Sequence, residues 1–247
     1  MNKKIFLLND RASILVDSTK DINTEFGILK AQDMKKAEPG DVVKTHTGVE
    51  FYVVSPKFPD LFGKVIRLPQ VITLKDIGSI IMYLGIRNDS NIVEAGTGSG
   101  VSACVMASIA SKGEVTSYEI RKDFIKVAKK NMDLFGVKNV KIVNSDIREG
   151  IKERNVDAVL LDMPDPWNAL ETACRAIIVG GRICTYSPSI IQIERTLRAM
   201  PKELKVEKLI QTVENGWKVD MERDILRPES SGITHTAFLL FMRKTKG

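Results

Sequence analysis

A glycine-rich loop in the middle of the chain carries residues whose types and spacing suit ligand binding. It follows a short apolar run and opens a helical pattern, and it comprises Gly96, Thr97, Gly98, Ser99, Gly100, Val101 and Ser102. Glycines let a backbone turn tightly and approach a ligand, and the N–H groups of a first helical turn favour a carboxylate. A dinucleotide fingerprint would need glycine in place of Val101. The loop therefore predicts a carboxylate-bearing ligand other than a dinucleotide, with a ligand-free tight turn as the alternative.

Two acidic residues end the next two strand patterns. Glu119 ends the second strand, where a carboxylate can accept both ribose hydroxyls of an adenosine. Asp146 ends the third strand, where it can accept the amino group of adenine while the backbone N–H of Ile147 faces a ring nitrogen. The alternatives are a solvated strand end for Glu119 and a helix cap for Asp146. Because ligands of open α/β sheets bind beyond the carboxyl ends of the strands, these residues predict an adenosine-binding edge.

The loop after the fourth strand pattern combines a carboxylate, two prolines and an aromatic ring. Its residues are Asp162, Met163, Pro164, Asp165, Pro166 and Trp167. The prolines fix the backbone, so the loop is held rigidly beside the predicted adenosine site. Trp167 offers a flat face to a nucleobase, although a tryptophan packed in the core is the alternative. This loop therefore predicts the acceptor side of the site, with Asp162 as the catalytic residue.

Alternating strand and helix patterns position these loops. Strands are predicted at 92–95, 114–119, 140–144, 156–162 and 182–186, and two closing strands at 204–213 and 234–243. A helix is predicted before them at 74–85, and further helices between them, including 99–111 and 167–179. Repeated strand–helix units indicate a parallel, doubly wound α/β sheet, and the two closing strands make it seven-stranded and Rossmann-like. This predicted domain covers residues 68–247.

Residues 1–67 have a different pattern. Short β-prone runs at 5–8, 13–16, 42–43 and 51–54 are separated by turn signals, which predicts a small β-rich domain, either a barrel or a meander. Prolines and a glycine between residues 56 and 63 mark the connection to the larger domain.

Composition limits the partners that the protein can have. The chain has 247 residues, a net charge of +6 and 43% hydrophobic residues, which is typical of a globular protein with a proper core. The basic residues are spread along the chain, so a polyanionic partner is permitted but not demonstrated. Three cysteines and two histidines form no ligand-spaced cluster, which predicts no metal site. We expect no signal peptide and no spanning helix, because the N-terminus has no long apolar run, and hence a cytoplasmic protein.

Several segments together resemble the tRNA adenine-N1 methyltransferases that modify the T-loop. They are Glu94–Gly100, Tyr118–Phe124, Asp146–Glu149, Asp162–Trp167, Gly180–Arg182, Ser187–Thr196, Arg227-Pro228 and His235-Thr236. The resemblance implies S-adenosylmethionine as the methyl donor, tRNA as the substrate, a homotetramer and a cytoplasmic location. It also implies that the glycine loop through Ser102 holds the cofactor together with Glu119, Phe124, Asp146, Ile147 and Asp162.

The same resemblance implies methyl transfer to N1 of adenine 58, or of adenines 57 and 58, with the target base flipped into the pocket. The implied substrate-binding residues are Thr73, Asp165, Pro166 and Trp167. Some relatives place tyrosine where this chain has Thr73, so aromatic stacking from that position is absent. Two alternatives stay open: a methyltransferase of the same fold that acts on a small molecule or a protein, and a non-catalytic tRNA-binding subunit.

Overall fold

The computed structural model describes residues 4–68, 70–229 and 235–246. The chain divides into two compact units, Met1–Val65 and Ile66–Gly247.

The first unit is built on a four-stranded antiparallel sheet with the strand order β2-β1-β6-β5, accompanied by a β3–β4 hairpin. Its elements are β1 (Lys4–Leu8), β2 (Ser13–Asp17), β3 (Ile22–Thr24), β4 (Gly27–Leu29), α1 (Ala31–Lys36), β5 (Val42–Lys44), β6 (Glu50–Val54) and α2 (Phe58–Phe62). Leu7, Leu29, Met34 and Phe51 are fully buried in its core. The sheet is not a simple meander, because β6 returns to pair with β1.

The second unit contains the predicted seven-stranded sheet, with the order β12-β15-β11-β10-β7-β8-β9. Its strands are β7 (Ile92–Ala95), β8 (Val115–Tyr118), β9 (Val140–Val143), β10 (Val156–Leu161), β11 (Ile177–Ser187), β12 (Leu204–Ile210) and β15 (Phe238–Lys244). The first five run parallel, and β15 lies antiparallel between β11 and β12. The α/β prediction is confirmed.

The helices of this unit are α3 (Leu74–Leu84), α4 (Val101–Ile109), α5 (Lys122–Phe135), α6 (Leu170–Ala176) and α7 (Ile190–Arg198). The first seven residues of α4 are all buried, so this helix lies in the core and has no polar face. In contrast, α5 is strongly amphipathic and buries only Ala128 and Asn131. Both helices start directly after strand-end loops, so their first turns lie at the carboxyl edge of the sheet.

Several elements differ from the predictions. The predicted helix at 167–179 is a 3₁₀ turn, Pro166–Asn168, followed by the shorter α6. Strand β11 begins at Ile177, before the two glycines that were expected to precede it, because Ile177 already pairs with Val156 and the register shifts afterwards. A hairpin of β13 (Trp217–Asp220) and β14 (Ile225–Pro228) was not predicted. The start of the last predicted strand, at residue 234, lies outside the described residues.

Candidate active site

A cavity of about 730 Å³ lies at the carboxyl edge of the seven-stranded sheet. This volume falls in the range of small-molecule and cofactor sites. Most of the predicted site residues line it: Gly96, Thr97, Gly98, Ser99, Val101, Ser102, Glu119, Phe124, Asp146, Ile147, Asp162 and Asp165. Gly100, Thr73, Pro166 and Trp167 are not among the residues that line it.

The glycine loop between β7 and α4 has a backbone that strongly favours glycine. Gly96, Gly98 and Gly100 have φ angles of +87°, +53° and +74°. A Cβ atom on Gly96 would lie 1.7 Å from the carbonyl oxygen of Asp162, and one on Gly100 would lie 2.8 Å from the Cβ of Ala128. The loop therefore packs tightly against β10 on one side and α5 on the other. Although Gly100 does not line the cavity, it allows α4 to begin there.

Glu94 lies behind this loop and is fully buried. Its carboxylate accepts hydrogen bonds from the hydroxyl of Ser102 and from that of Ser117, the latter at 2.6 Å. Thr97 Oγ1 lies 2.6 Å from Ser117 Oγ and extends the network into the loop. Burial raises the pKa of Glu94 to about 7, although the hydroxyl donors oppose the rise. This network holds the loop in place from the core side.

Glu119 follows β8 and turns its carboxylate towards the glycine loop. Its Oε2 accepts the backbone N–H of Gly98 at 3.0 Å, and its Oε1 accepts the N–H of Arg121 at 2.9 Å. Each carboxylate oxygen keeps a lone pair for a further donor, such as a ribose hydroxyl. Phe124 lies beside it, with the Arg121 guanidinium 3.7 Å from the centre of its ring.

Asp146 follows β9 and begins the 3₁₀ turn Ile147–Glu149. Its Oδ1 accepts the backbone N–H of Arg148 at 2.9 Å, so the alternative of a helix cap is confirmed, while its contact with adenine stays a prediction. The Arg148 guanidinium forms an ion pair with the same carboxylate at 2.5 Å and reaches Asp165 at 2.7 Å. The hydrogen bonds from Arg148 hold the pKa of Asp146 below its usual value. The sequence analysis gave Arg148 no role, although its position two residues after a carboxylate is a signal for such a pair.

Asp162 follows β10 and lines the cavity. Its backbone N–H donates to the carbonyl of Ala95 at 2.9 Å, which continues the β7–β10 pairing into the site. Burial raises the pKa of Asp162 to about 7, and the charge of Glu94 adds to the rise. The loop that follows is fixed by Gln192, whose side-chain amide donates to the Pro164 carbonyl at 2.8 Å. A carboxylate in this setting has a high energy when charged, so a positive charge nearby stabilises it strongly.

Three of the predicted substrate-binding residues lie outside the cavity lining, and two of them, Thr73 and Trp167, contact other side chains of the protein. Thr73 donates its hydroxyl to Asp76 at 2.9 Å, as the residue before α3. Trp167 is half-buried, and the guanidinium of Arg195 lies 5.2 Å from the centre of its ring. Pro166 is buried beside it. Their roles in substrate binding stay predictions.

Asp76 is buried at the start of α3 and is hydrogen-bonded to two residues that line the cavity. It accepts hydrogen bonds from Tyr186 at 3.2 Å and Thr236 at 2.6 Å, and it pairs with Lys75 at 2.9 Å. Burial pushes the pKa of Asp76 up, but the hydrogen bonds outweigh it and hold the pKa below its usual value. Tyr186 and Thr236 line the cavity and were not predicted as site residues. The resemblance at 235–236 was a signal for Thr236, whereas Tyr186 lies one residue before the similar segment 187–196 and had none.

Within the described part of the chain, no three His, Cys, Asp or Glu residues are grouped so that they could hold a metal ion. The same residues contain no helix long and apolar enough to cross a membrane.

Comparisons with known proteins agree with this geometry. The family described as the tRNA methyltransferase complex GCD14 subunit matches residues 50–223. A tRNA (adenine(57)-N(1)/adenine(58)-N(1))-methyltransferase TrmI of Methanocaldococcus jannaschii is 32% identical over 93% of this chain and 90% of its own. A tRNA (adenine(58)-N(1))-methyltransferase TrmI of Thermus thermophilus is 31% identical over 89% of this chain and 87% of its own.

Two solved structures are similar over the whole chain. A SAM-dependent O-methyltransferase from Thermotoga maritima has a TM-score of 0.88 and 31% identity, covering 100% of this chain and 94% of the other. The tRNA (m1A58) methyltransferase TrmI from Aquifex aeolicus has a TM-score of 0.83 and 25% identity, covering 100% and 98%. Since the family match extends over most of the residues that build the cavity, and the archaeal relative aligns over nearly the whole chain, the chain belongs to the GCD14/TrmI family of tRNA methyltransferases.

Proposed function

We propose that this protein transfers a methyl group from S-adenosylmethionine to N1 of adenine 58, or of adenines 57 and 58, in the T-loop of tRNA. The observation that carries the proposal is the cavity that Asp162, a carboxylate with a pKa raised to about 7, lines together with the glycine loop and Glu119. The activities for which the two TrmI relatives are named support the choice of tRNA and of adenine N1.

The residues present fit the proposed cofactor. The absence of a Cβ on Gly96 lets the glycine loop pack directly against the backbone of Asp162, and the N–H groups at the start of α4 suit a carboxylate. Glu119 has lone pairs for the two ribose hydroxyls, and Asp146 can accept the adenine amino group. Phe124 and Ile147 supply apolar surface at the same edge of the cavity. These are the residues that we assign to S-adenosylmethionine.

When it is bound, S-adenosylmethionine supplies an electrophilic methyl group on a sulfonium. The lone pair of adenine N1 is free at neutral pH, so no general base is needed before it attacks. The protein therefore acts chiefly by positioning, which makes the encounter of two substrates effectively intramolecular. Methylation leaves a positively charged adenine. We assign to Asp162 the stabilisation of this developing charge, while its carboxylate accepts a hydrogen bond from the adenine amino group.

N1 of adenine lies on the Watson–Crick edge, so the target base has to leave the folded T-loop and enter the cavity. We assign contacts with the flanking nucleotides to Asp165, Pro166 and Trp167, and we retain Thr73 as a candidate. Phosphate contacts by lysines and arginines are consistent with the net charge of +6, and they make binding sensitive to salt. A tRNA affinity unchanged between roughly 50 mM and 200 mM salt would contradict this part of the proposal.

We also propose that the protein is a cytoplasmic homotetramer. The β13–β14 hairpin supports association, because Trp217, Val219, Met221 and Leu226 are each more than half exposed. Exposed apolar patches of this kind mark protein interfaces. Sedimentation equilibrium should give a mass of four chains, and a monomer at micromolar concentration would refute the tetramer.

The decisive experiment uses an unmodified tRNA transcript and methyl-labelled donor, followed by digestion and mass spectrometry of the nucleosides. We expect 1-methyladenosine at position 58, and no label in a matched transcript that carries guanosine at positions 57 and 58. Label in no tRNA adenosine would refute the proposal. Transfer to a small molecule or a protein would favour the first alternative, and tRNA binding without transfer would favour a non-catalytic subunit.

A further inference from the structure

The side chain of Arg148 contacts carboxylates on both sides of the proposed site. Its Nε and Nη2 atoms donate to Asp146, at the end of β9, over 2.9 and 2.5 Å. Its Nη1 donates to Asp165, in the loop after β10, over 2.7 Å. The first carboxylate belongs to the part of the cavity assigned to the cofactor, and the second belongs to the acceptor loop. Arg148 lines the cavity between them.

The Asp146 carboxylate has no spare acceptor site in this arrangement. A carboxylate offers about four lone-pair sites. The Oδ1 atom of Asp146 accepts the backbone N–H and the Nε–H of Arg148, and its Oδ2 accepts the Nε–H and an Nη2–H of the same residue. The Nε–H is shared between both oxygens. An adenine amino group can therefore donate to Asp146 only if the guanidinium gives up part of its contact.

Asp165 is placed to receive the guanidinium when that happens. It already accepts from Nη1, and its position is fixed by the side-chain amide of Asn168 at 2.7 Å. It lies three residues after Asp162, in the same proline-bordered loop. A shift of the Arg148 guanidinium from Asp146 towards Asp165 would strengthen the contact that holds this loop. Charge-assisted hydrogen bonds of arginine to carboxylates are about twice as strong as neutral ones, so the shift has an appreciable energy.

We propose that Arg148 is a positioning residue that couples the two halves of the site: the cofactor's adenine competes with it for Asp146, and the released guanidinium fixes the acceptor loop through Asp165. This inference rests on the proposed function, because it takes Asp146 as the adenine carboxylate. It adds an order of events, in which cofactor binding prepares the acceptor loop for tRNA. Because coupling of binding is reciprocal, tRNA in turn raises the affinity for the cofactor.

The first test is a double-mutant cycle on the affinity for S-adenosylhomocysteine, measured by calorimetry without tRNA. Among the described residues Arg148 pairs with Asp146 and Asp165, so in Asp165→Asn the guanidinium stays on Asp146, and we expect the dissociation constant to rise about tenfold. In Arg148→Gln the competitor is gone, and we expect affinity at least equal to that of the wild type. Adding Asp165→Asn to Arg148→Gln should then have no effect. Circular dichroism melting verifies that each variant is folded.

A cofactor analogue separates competition from general damage to the site. S-adenosylhomocysteine with hydrogen in place of the adenine amino group does not need to displace Arg148, so Asp165→Asn should bind it as tightly as the wild type does. Arg175→Gln is the matched control, since Arg175 pairs with Glu171 in an exposed bridge on α6. It should leave every dissociation constant unchanged.

The second test measures the affinity for tRNA with and without S-adenosylhomocysteine. We expect the cofactor product to tighten tRNA binding about tenfold in the wild type and in Arg175→Gln, and to have no effect in Arg148→Gln. Two results would overturn the inference: an equal effect of Asp165→Asn in both backgrounds, or weaker cofactor binding by Arg148→Gln. If the wild type binds the cofactor product but methylates no tRNA, the proposed function fails while the cycle still tests Arg148. If it does not bind the product, both fail.

Discussion

Replacing Asp162 by asparagine removes the negative charge of the side chain and leaves its size almost unchanged. The amide has almost the same size and keeps one acceptor oxygen, but it cannot offset a positive charge on adenine. Loss of one preorganised electrostatic group of this kind lowers kcat by about 10²–10³. The KM for the methyl donor should change much less than kcat, because only the proposed cofactor contact of Asp162 is altered while those of the glycine loop and Glu119 stay intact. We expect Asp162→Asn to bind both substrates and to transfer the methyl group slowly.

The pH dependence of the wild type gives a second signature. Since the pKa of Asp162 is raised to about 7, its charged form increases between pH 6 and 8. The value of kcat should therefore rise about tenfold per pH unit below pH 7 and level off above it. Glu94 titrates in the same range and broadens the rise. Burial raises the pKa of Cys184 and of Tyr186, the other titratable neighbours, so neither contributes to the rise.

The same shift predicts how stability depends on pH. The folded state binds the proton of Asp162 more tightly than the unfolded chain, whose pKa is near 3.8. The stabilisation from this group is complete below about pH 4 and is lost as the pH rises through about 7. A pKa difference of this size corresponds to at most about 4 kcal/mol. Asp162→Asn removes this dependence, so it should be more stable than the wild type at pH 8, and the difference should disappear near pH 4.

The assay is single-turnover methylation of a tRNA transcript between pH 6 and 8.5, combined with urea unfolding at pH 4 and pH 8. Asp133→Asn is the matched control, because Asp133 is an exposed carboxylate on α5 outside the residues that line the cavity. It should leave kcat, its pH profile and the unfolding free energy unchanged. If Asp162→Asn keeps kcat within threefold of the wild type, or retains the same rise with pH, the assignment of Asp162 is wrong.

Three further predictions test the support of the site. Gly96→Ala should abolish binding of S-adenosylhomocysteine in calorimetry, because the new Cβ would lie 1.7 Å from a backbone oxygen. Gly78→Ala is the control, because Gly78 is exposed in α3 and has open space around it. It should raise the unfolding free energy by about 0.5–1 kcal/mol and leave binding unchanged. Glu119→Gln should weaken the same binding at least tenfold, since an amide would direct N–H groups at a backbone donor; affinity within a factor of two would contradict its role. Asp76→Asn should lower the unfolding free energy by about 3–5 kcal/mol in urea titrations, because Lys75, only 10% exposed, loses its buried partner; an unchanged midpoint would show that the pair does not stabilise the fold.

The parts of the site that sequence analysis predicted share a local cause. A residue at the carboxyl end of a parallel strand points to one edge of the sheet wherever that strand lies. Glu119, Asp146 and Asp162 could be assigned to the cavity edge on this ground, without knowledge of the strand order. The glycine loop could be assigned to the same edge because the spacing of its glycines, between a strand pattern and a helix pattern, indicates a tight turn there. The seven strands themselves followed from the alternation of apolar runs with helical patterns.

The parts that were missed depend on contacts between residues distant in sequence. Tyr186 and Thr236 reach the cavity because both donate to Asp76, which is 110 and 160 residues away. No local pattern records such a contact. Trp167 is a related case, since the sequence indicated its ring but not the guanidinium of Arg195, which lies 5.2 Å from the ring centre; its role in binding a base stays a prediction. The orientation of a side chain at a strand end is set by neighbours that only the folded chain supplies.

The contact between Gly96 and Asp162 brings the proposed cofactor-binding loop and the proposed catalytic residue together at the ends of two adjacent strands. β7 and β10 are adjacent parallel strands, and Leu161 pairs with Ala95. The next residue of each strand is therefore Gly96 on one side and Asp162 on the other, with the Asp162 N–H bonded to the Ala95 carbonyl. A loop that must bring its backbone close to the methyl donor thus lies directly against the residue proposed to stabilise the acceptor. Because the two strands are neighbours, any shift of the glycine loop also moves Asp162, the proposed catalytic residue, so substitutions in the loop should impair kcat as well as cofactor affinity.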